Sequence, residues 1–171
     1  VRVMGVDPGL TRCGVGIIDA APGARPRLVA VGVVRTDPHE QHPQRLLAVE
    51  AGLTEWFDSY RPDVISIEAV FAQHNLPTVT GVGQAAGIAM LIGARSGCQV
   101  AMHTPSEVKA ALTGSGRAGK EQVGAMVARV LGLAAPPTPA DAADALALAI
   151  THLWRGGASN RYAAAVARGR S

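Results

Sequence analysis

Apolar residues crowd into short runs at the front of the chain and into helical spacings further along. Val1–Asp7 is a Val-rich run that stops at Asp7-Pro8-Gly9, which predicts a buried strand ended by a turn. Cys13–Asp19 and Arg27–Thr36 read as two more strands, separated by the turn-forming stretch Ala21-Pro22-Gly23-Ala24-Arg25-Pro26. Their short connections make the three an antiparallel meander. Leu46, Leu47, Val49, Leu53, Trp56, Phe57 and Tyr60 then recur at helical spacing and predict a helix over Gln44–Tyr60. Val64–Ala69 is apolar on both faces and reads as a fourth strand, with Glu68 at its end. Thr78–Ser96 is a helix of small residues; its glycines weaken it, so close packing must hold it. Gln99–His103 is a fifth strand. Thr104 and Glu107 fit a capping box, with Pro105 at the first position of a short helix. Glu121–Leu131 and Asp141–Arg155 are helices, separated by the breaker Ala134–Pro139. This order predicts an α/β fold whose five-stranded mixed sheet begins as a meander and continues with parallel crossovers.

With 171 residues, the chain suits one domain, expected over residues 1–157, followed by a basic, mobile tail over 158–171. Hydrophobic residues are 48% and charged residues 17%, which excludes intrinsic disorder. No apolar run approaches the roughly 18 residues of a membrane span. An acid as early as Asp7 argues against a signal peptide. Two distant cysteines, Cys13 and Cys98, exclude a disulfide scaffold and a Cys-based zinc site, and suit a reducing cytosol. Both are expected in strands, as small apolar residues. The net charge of +3 hints at a polyanionic partner. Its distribution is uneven: there is no Lys or Arg from Pro62 to Ala94, and from Arg155 onward there are four Arg and no acid.

Four acids stand in surroundings where acids are rare. Asp7 sits where an apolar strand stops, and Glu68 ends Ile65-Ser66-Ile67-Glu68. Asp141 and Asp144, three apart in an otherwise apolar helix, share one face. Acids are seldom placed so unless paired or metal-bound. No basic residue is near any of them in sequence. If they meet in space, their repulsion calls for raised pKa values or for divalent cations. Oxygen-only ligands select hard ions such as Mg²⁺ or Mn²⁺. Two such ions can activate a water and stabilise the leaving oxygen of a phosphodiester. The plainer alternatives are that Asp7 caps the turn at Pro8-Gly9 and that Asp141 and Asp144 favour a helix N-terminus.

The stretches GVDPGLTRCGVGIID, VISIEAVF, GQAAG and ADAADALALAITH, in this order, resemble the bacterial RuvC crossover-junction endodeoxyribonucleases over nearly the whole chain. The resemblance implies a ribonuclease-H-like fold. It also implies a homodimer that binds a four-way (Holliday) junction and nicks two strands of like polarity symmetrically, in recombination and repair. Asp7, Glu68, Asp141 and Asp144 then hold Mg²⁺, replaceable by Mn²⁺, as two ions per subunit. Lys120 helps to position the scissile phosphate, and Lys109 contacts DNA near the site. The family's branch-migration complex, RuvA–RuvB, is an implied partner, and the cytoplasm the implied location. Phe71 matches an aromatic that stacks on a base at the crossover, worth about 1–3 kcal/mol per base. The residues themselves agree. Trp56, Phe57 and Tyr60 read as the core of one helix, whereas Phe71 falls in a loop; there it either stacks on DNA or anchors the loop to the core. The basic residues common in the family after this aromatic are missing, so phosphate contacts fall to His74, Asn75, Gln84 and backbone N–H groups. Dimerisation is assigned to the helix Thr78–Ser96 by the resemblance alone. Setting aside the four carboxylates raises the net charge of each subunit by four, to +7.

Other patterns carry less. Gly114–Lys120 has the spacing of a nucleotide-binding loop, but Glu121 replaces the Mg²⁺-binding hydroxyl and a helix precedes it. The loop therefore reads as a DNA-backbone contact through Arg117 and Lys120, or as plain solvated surface. His39 and His42 read as loop surface, and His103 and His152 as structural. Two competing classes are a junction-binding protein that recruits a motor without cutting, and a fragment of a sugar-kinase-like ATPase. The intact carboxylate set argues against the first and the length against the second. A nuclease acting on RNA:DNA hybrids is the nearest rival.

Overall fold

The computed structural model describes residues 1–69 and 76–155. Its elements run β1 (Arg2–Asp7), β2 (Arg12–Asp19), β3 (Arg27–Arg35), α1 (His42–Tyr60), β4 (Val64–Glu68), α2 (Leu76–Arg95), β5 (Gln99–His103), α3 (Pro105–Thr113), α4 (Lys120–Leu131) and α5 (Ala140–Arg155). One sheet holds all five strands in the order β3-β2-β1-β4-β5. β1 pairs antiparallel with β2, and β2 with β3, while β1–β4 and β4–β5 are parallel. The expected meander and crossovers are both present. α1 begins at His42, ahead of the expected Gln44, because Pro43 is tolerated in a first turn where its missing N–H has no partner to lose. The capping box of α3 is formed: the Glu107 N–H donates to Thr104 Oγ1 at 3.1 Å, and the Thr104 N–H donates to Glu107 Oε2 at 2.9 Å. Cys98 lies one residue before β5 rather than in a strand, and both cysteines are free thiols.

Strand parity divides the core in two. Met4, Val6, Val15, Ile17, Ile65 and Ile67 face α1 and α2. Val3, Ile18, Val64 and Ala101 face α3, α4 and α5. Because successive side chains alternate, Asp7 and Glu68 fall on the α5 side of β1 and β4. On that side β1 and β2 carry glycine. A Cβ at Gly5 would fall on the Ala145 carbonyl oxygen, and one at Gly14 on the Asp141 carbonyl oxygen. At Gly16 it would stand 2.7 Å from Leu146 Cδ2. α5 therefore lies on the backbone of the sheet, presenting the buried Ala145, Leu146 and Ala149. A buried hydrogen bond from Ser66 Oγ to the Leu148 carbonyl, 2.8 Å long, ties it to β4. Trp56 stacks on Tyr60 at 5.3 Å, and Phe57 is buried, as the helical spacing predicts.

Gly5→Ala pushes α5 off the sheet, since neither backbone can yield locally. We expect a loss of about 3 kcal/mol, read as a lower urea midpoint at unchanged m-value.

Candidate active site

β1 and β4 are parallel neighbours, so their carboxyl-terminal residues Asp7 and Glu68 emerge side by side at one end of the sheet. α5 starts at the same end and brings Asp141 and Asp144 over them from its first two turns. The positive end of the helix dipole favours carboxylates there. The four acids line one cleft of about 310 Å³ together with Lys109 of α3 and Lys120 of α4. The loop read as a weak nucleotide motif positions Lys120. Gly114 closes α3 in the left-handed region, φ 78°, and Gly119 caps α4, so that Lys120 is the first residue of that helix.

The electrostatics show a crowded acidic site. Burial pushes the Asp7 carboxyl up to about 8; Glu68, Asp144 and Asp141 push the same way, and Lys120 opposes them. Burial also raises Glu68, with Asp144 adding to the shift and Lys120 and Lys109 opposing it. Lys120 Nζ donates to Asp144 Oδ2 at 3.0 Å, and this bond raises the lysine above its ordinary value. Arg12 Nε donates to Asp141 Oδ2 at 2.6 Å. Two of the acids are thus neutralised by cations of the chain itself, and Asp7 and Glu68 are left to burial and mutual repulsion.

Arg12 is a basic neighbour of the acids that closeness in sequence does not reveal. It precedes Asp141 by 129 positions and meets it in space. The signal lay in strand parity: Arg12 opens β2 and shares a face with Gly14 and Gly16, one residue before the expected strand start. A neighbouring feature is the pair His103 and His152, whose rings lie 5.8 Å apart. Burial and the second imidazole lower His103 to about 4, so it stays neutral, and its Nε2 is buried without a partner.

The other expected DNA contacts are scattered. Arg117 is exposed in the turn between α3 and α4. Gln84 sits on the outer face of the α1–α2 pair, and its Oε1 lies 2.6 Å from His42 Nε2. That bond engages its amide in helix pairing, away from the acidic cleft. It also places His42 in a helix contact rather than in a loop. Phe71, His74 and Asn75, and the tail 158–171, lie outside the described residues.

The donor set suits a hard divalent cation: four carboxylates, all oxygen, in a cleft where like charge is already costly. As the side chains stand, no three such groups among the described residues are gathered closely enough to hold one ion, since Asp141 and Asp144 are each drawn to a cationic side chain. Metal binding would exchange those partners.

A family model described as Crossover junction endodeoxyribonuclease RuvC matches residues 3–152. The chain is 66% identical over 166 residues to a RuvC of Cutibacterium acnes, covering 97% of this chain and 85% of that one. The RuvC structure of Thermus thermophilus superposes with a TM-score of 0.83 at 34% identity, covering 91% of this chain and 95% of that one. The T. thermophilus protein in complex with a Holliday junction substrate gives 0.82 at 32% identity, covering 91% and 94%.

The raised Asp7 value fixes a pH dependence. Its unfolded value is near 4, so the folded state binds the extra proton. The stability this contributes is complete below about pH 4 and is lost as the pH climbs through about 8. In EDTA, Asp7→Asn should therefore melt above the wild type at pH 8 by about 3–10 °C, with the difference vanishing near pH 4. Matching melting curves at pH 8 would show that Asp7 is not under charge stress.

Proposed function

This chain belongs to the RuvC family of crossover junction endodeoxyribonucleases, and from that premise we propose how its own residues resolve a junction. Its fold is ribonuclease-H-like, and its activity is endonucleolytic resolution of Holliday junctions by a divalent-metal-dependent nuclease. The observation that carries the finer reading is the convergence of Asp7, Glu68, Asp141 and Asp144 on one cleft with two lysines.

Asp7, Glu68, Asp141 and Asp144 hold two Mg²⁺ ions per subunit, with Mn²⁺ able to substitute. When bound, such ions supply a nucleophile at neutral pH and positive charge for the reacting phosphate. The chain's residues do the positioning. Asp7 and Glu68 are fixed by paired strand ends, so they set the cleft floor; Asp141 and Asp144 close it from α5. Lys120, with 79% of its side chain exposed, can keep its bond to Asp144 or swing to a phosphate oxygen. Lys109 faces the same cleft, and the exposed Arg117, in the turn that leads to Lys120, is assigned a contact to the DNA backbone. Phe71, His74 and Asn75 come three to seven positions after Glu68 in sequence, and we assign them the contacts at the crossover. Catalysis of this kind is positioning plus electrostatics.

A twofold homodimer supplies two such sites to a twofold junction and makes the nicks symmetric, in strands of like polarity. The outer face of α1 and α2 supports this assembly. It carries Leu46, Leu47, Ile88 and Leu91 around an apolar groove, with Leu47 61% and Leu91 45% exposed. None of the helices among the described residues is long and apolar enough to cross a membrane. We place the protein in the cytoplasm, acting in recombination and repair beside the RuvA–RuvB branch-migration complex.

The test is cleavage of a labelled synthetic four-way junction in Mg²⁺, beside a linear duplex and an RNA:DNA hybrid. Paired symmetric nicks on the junction alone, abolished in Asp7→Asn while binding persists, are expected. Binding without nicks in either Mg²⁺ or Mn²⁺ contradicts the reading, and cleavage of the hybrid moves the substrate class. Lys120→Ala should slow single-turnover cleavage by about 10²-fold with little change in junction affinity.

A further inference from the structure

We propose that Arg12 is a displaceable counter-ion that sets how tightly Asp141 can engage a divalent cation. This rests on the reading of Asp141 as a metal ligand. The guanidinium nitrogen Nε lies 2.6 Å from Asp141 Oδ2, at the short end for a charge-assisted hydrogen bond. A guanidinium keeps its charge in proteins, so only a competing charge can dislodge it from the carboxylate.

The backbone that delivers Arg12 is held firmly. The turn after Asp7 is pinned from both sides: Thr36 Oγ1 donates to the Leu10 carbonyl at 2.7 Å, and Arg45 donates to Thr11 Oγ1 at 2.6 Å. The Thr36 N–H also donates to the Thr11 carbonyl at 3.2 Å. Arg12 follows immediately, opening β2 on the face that α5 covers, and Gly14 lets the Asp141 backbone come down beside it. The pair is thus built by tertiary contacts rather than by a loose surface encounter. The Arg12 side chain remains 40% exposed and that of Asp141 29% exposed, so a cation can reach the shared carboxylate.

The consequence is competition. A cation that takes Asp141 must break the Arg12 bond and accept a fixed positive charge beside it. Arg12 therefore lowers the cation affinity of a cluster that would otherwise bind strongly through unrelieved repulsion. Arg35, the cross-strand neighbour of Arg12, is exposed and not bonded to Asp141, so it serves as a control for charge alone.

The test is Mn²⁺ binding to the DNA-free protein, read by the EPR signal of free Mn²⁺, for the wild type, Arg12→Gln, Arg12→Lys and Arg35→Gln. Arg12→Gln should tighten binding by about three- to tenfold. Arg12→Lys, which keeps the charge but not the planar fork, should fall between it and the wild type. Arg35→Gln should stay within about twofold of the wild type. The gap between melting temperatures in EDTA and in Mn²⁺ should widen in Arg12→Gln. Unchanged or weaker binding in Arg12→Gln overturns the proposal, as does equal tightening in Arg35→Gln, which would mean a general field effect. Should Arg12→Gln not fold, unaltered binding in Arg12→Lys also overturns it. A wild type that binds no Mn²⁺ refutes the metal reading itself, a result distinct from these.

Discussion

Everything at the site depends on how closely α5 approaches the sheet. Side chains on β1 and β2 would hold the helix away, and Gly5, Gly14 and Gly16 remove them. The contact is then helix backbone against strand backbone, sealed by Ala145, Leu146 and Ala149. Its catalytic effect is geometric: the start of α5 can bring two carboxylates over the ends of β1 and β4 only because its second and third turns lie flat on glycine. The same glycines pack poorly and weaken β1 and β2 as isolated strands. The sheet is stable because α5 covers what the glycines leave open.

The gathered acids create a second constraint. Burial and like charge press on Asp7 and Glu68, and the chain answers with Arg12 on Asp141 and Lys120 on Asp144. The two answers differ in kind. Lys120 is a flexible point charge on the first turn of a helix, able to serve a second partner. Arg12 is a planar donor on a strand braced by Thr36 and Arg45. One is the more exposed and mobile of the two, the other is tied into the sheet.

Much of this was legible in the sequence. Alternation and helical spacing placed every element of the described residues, with ends shifted by a residue or two, as at α1, where Pro43 enters the first turn. The four carboxylates stood out because each broke an otherwise apolar pattern. Arg12 did not stand out. Its partner is 129 positions away, and a reading that looks for counter-charges among sequence neighbours cannot see a pair made by packing. Gln84 is the opposite case. A polar residue on an uncharged helix invites a ligand, yet its amide had an ordinary use in binding His42 on the neighbouring helix.

The strand order carries a temporal meaning. β1 is made early in synthesis but lies at the centre of the sheet, flanked by β2 on one side and by β4 on the other. Its glycine face stays bare until α5, the last helix of the described residues, has been made and folded back across more than a hundred positions. Such long-range closure comes late in folding. Asp7 and Glu68 alone are two acids at strand ends. A nascent chain therefore holds no four-carboxylate cleft until Asp141 and Asp144 arrive, and a product that stops short of α5 lacks half of its acids.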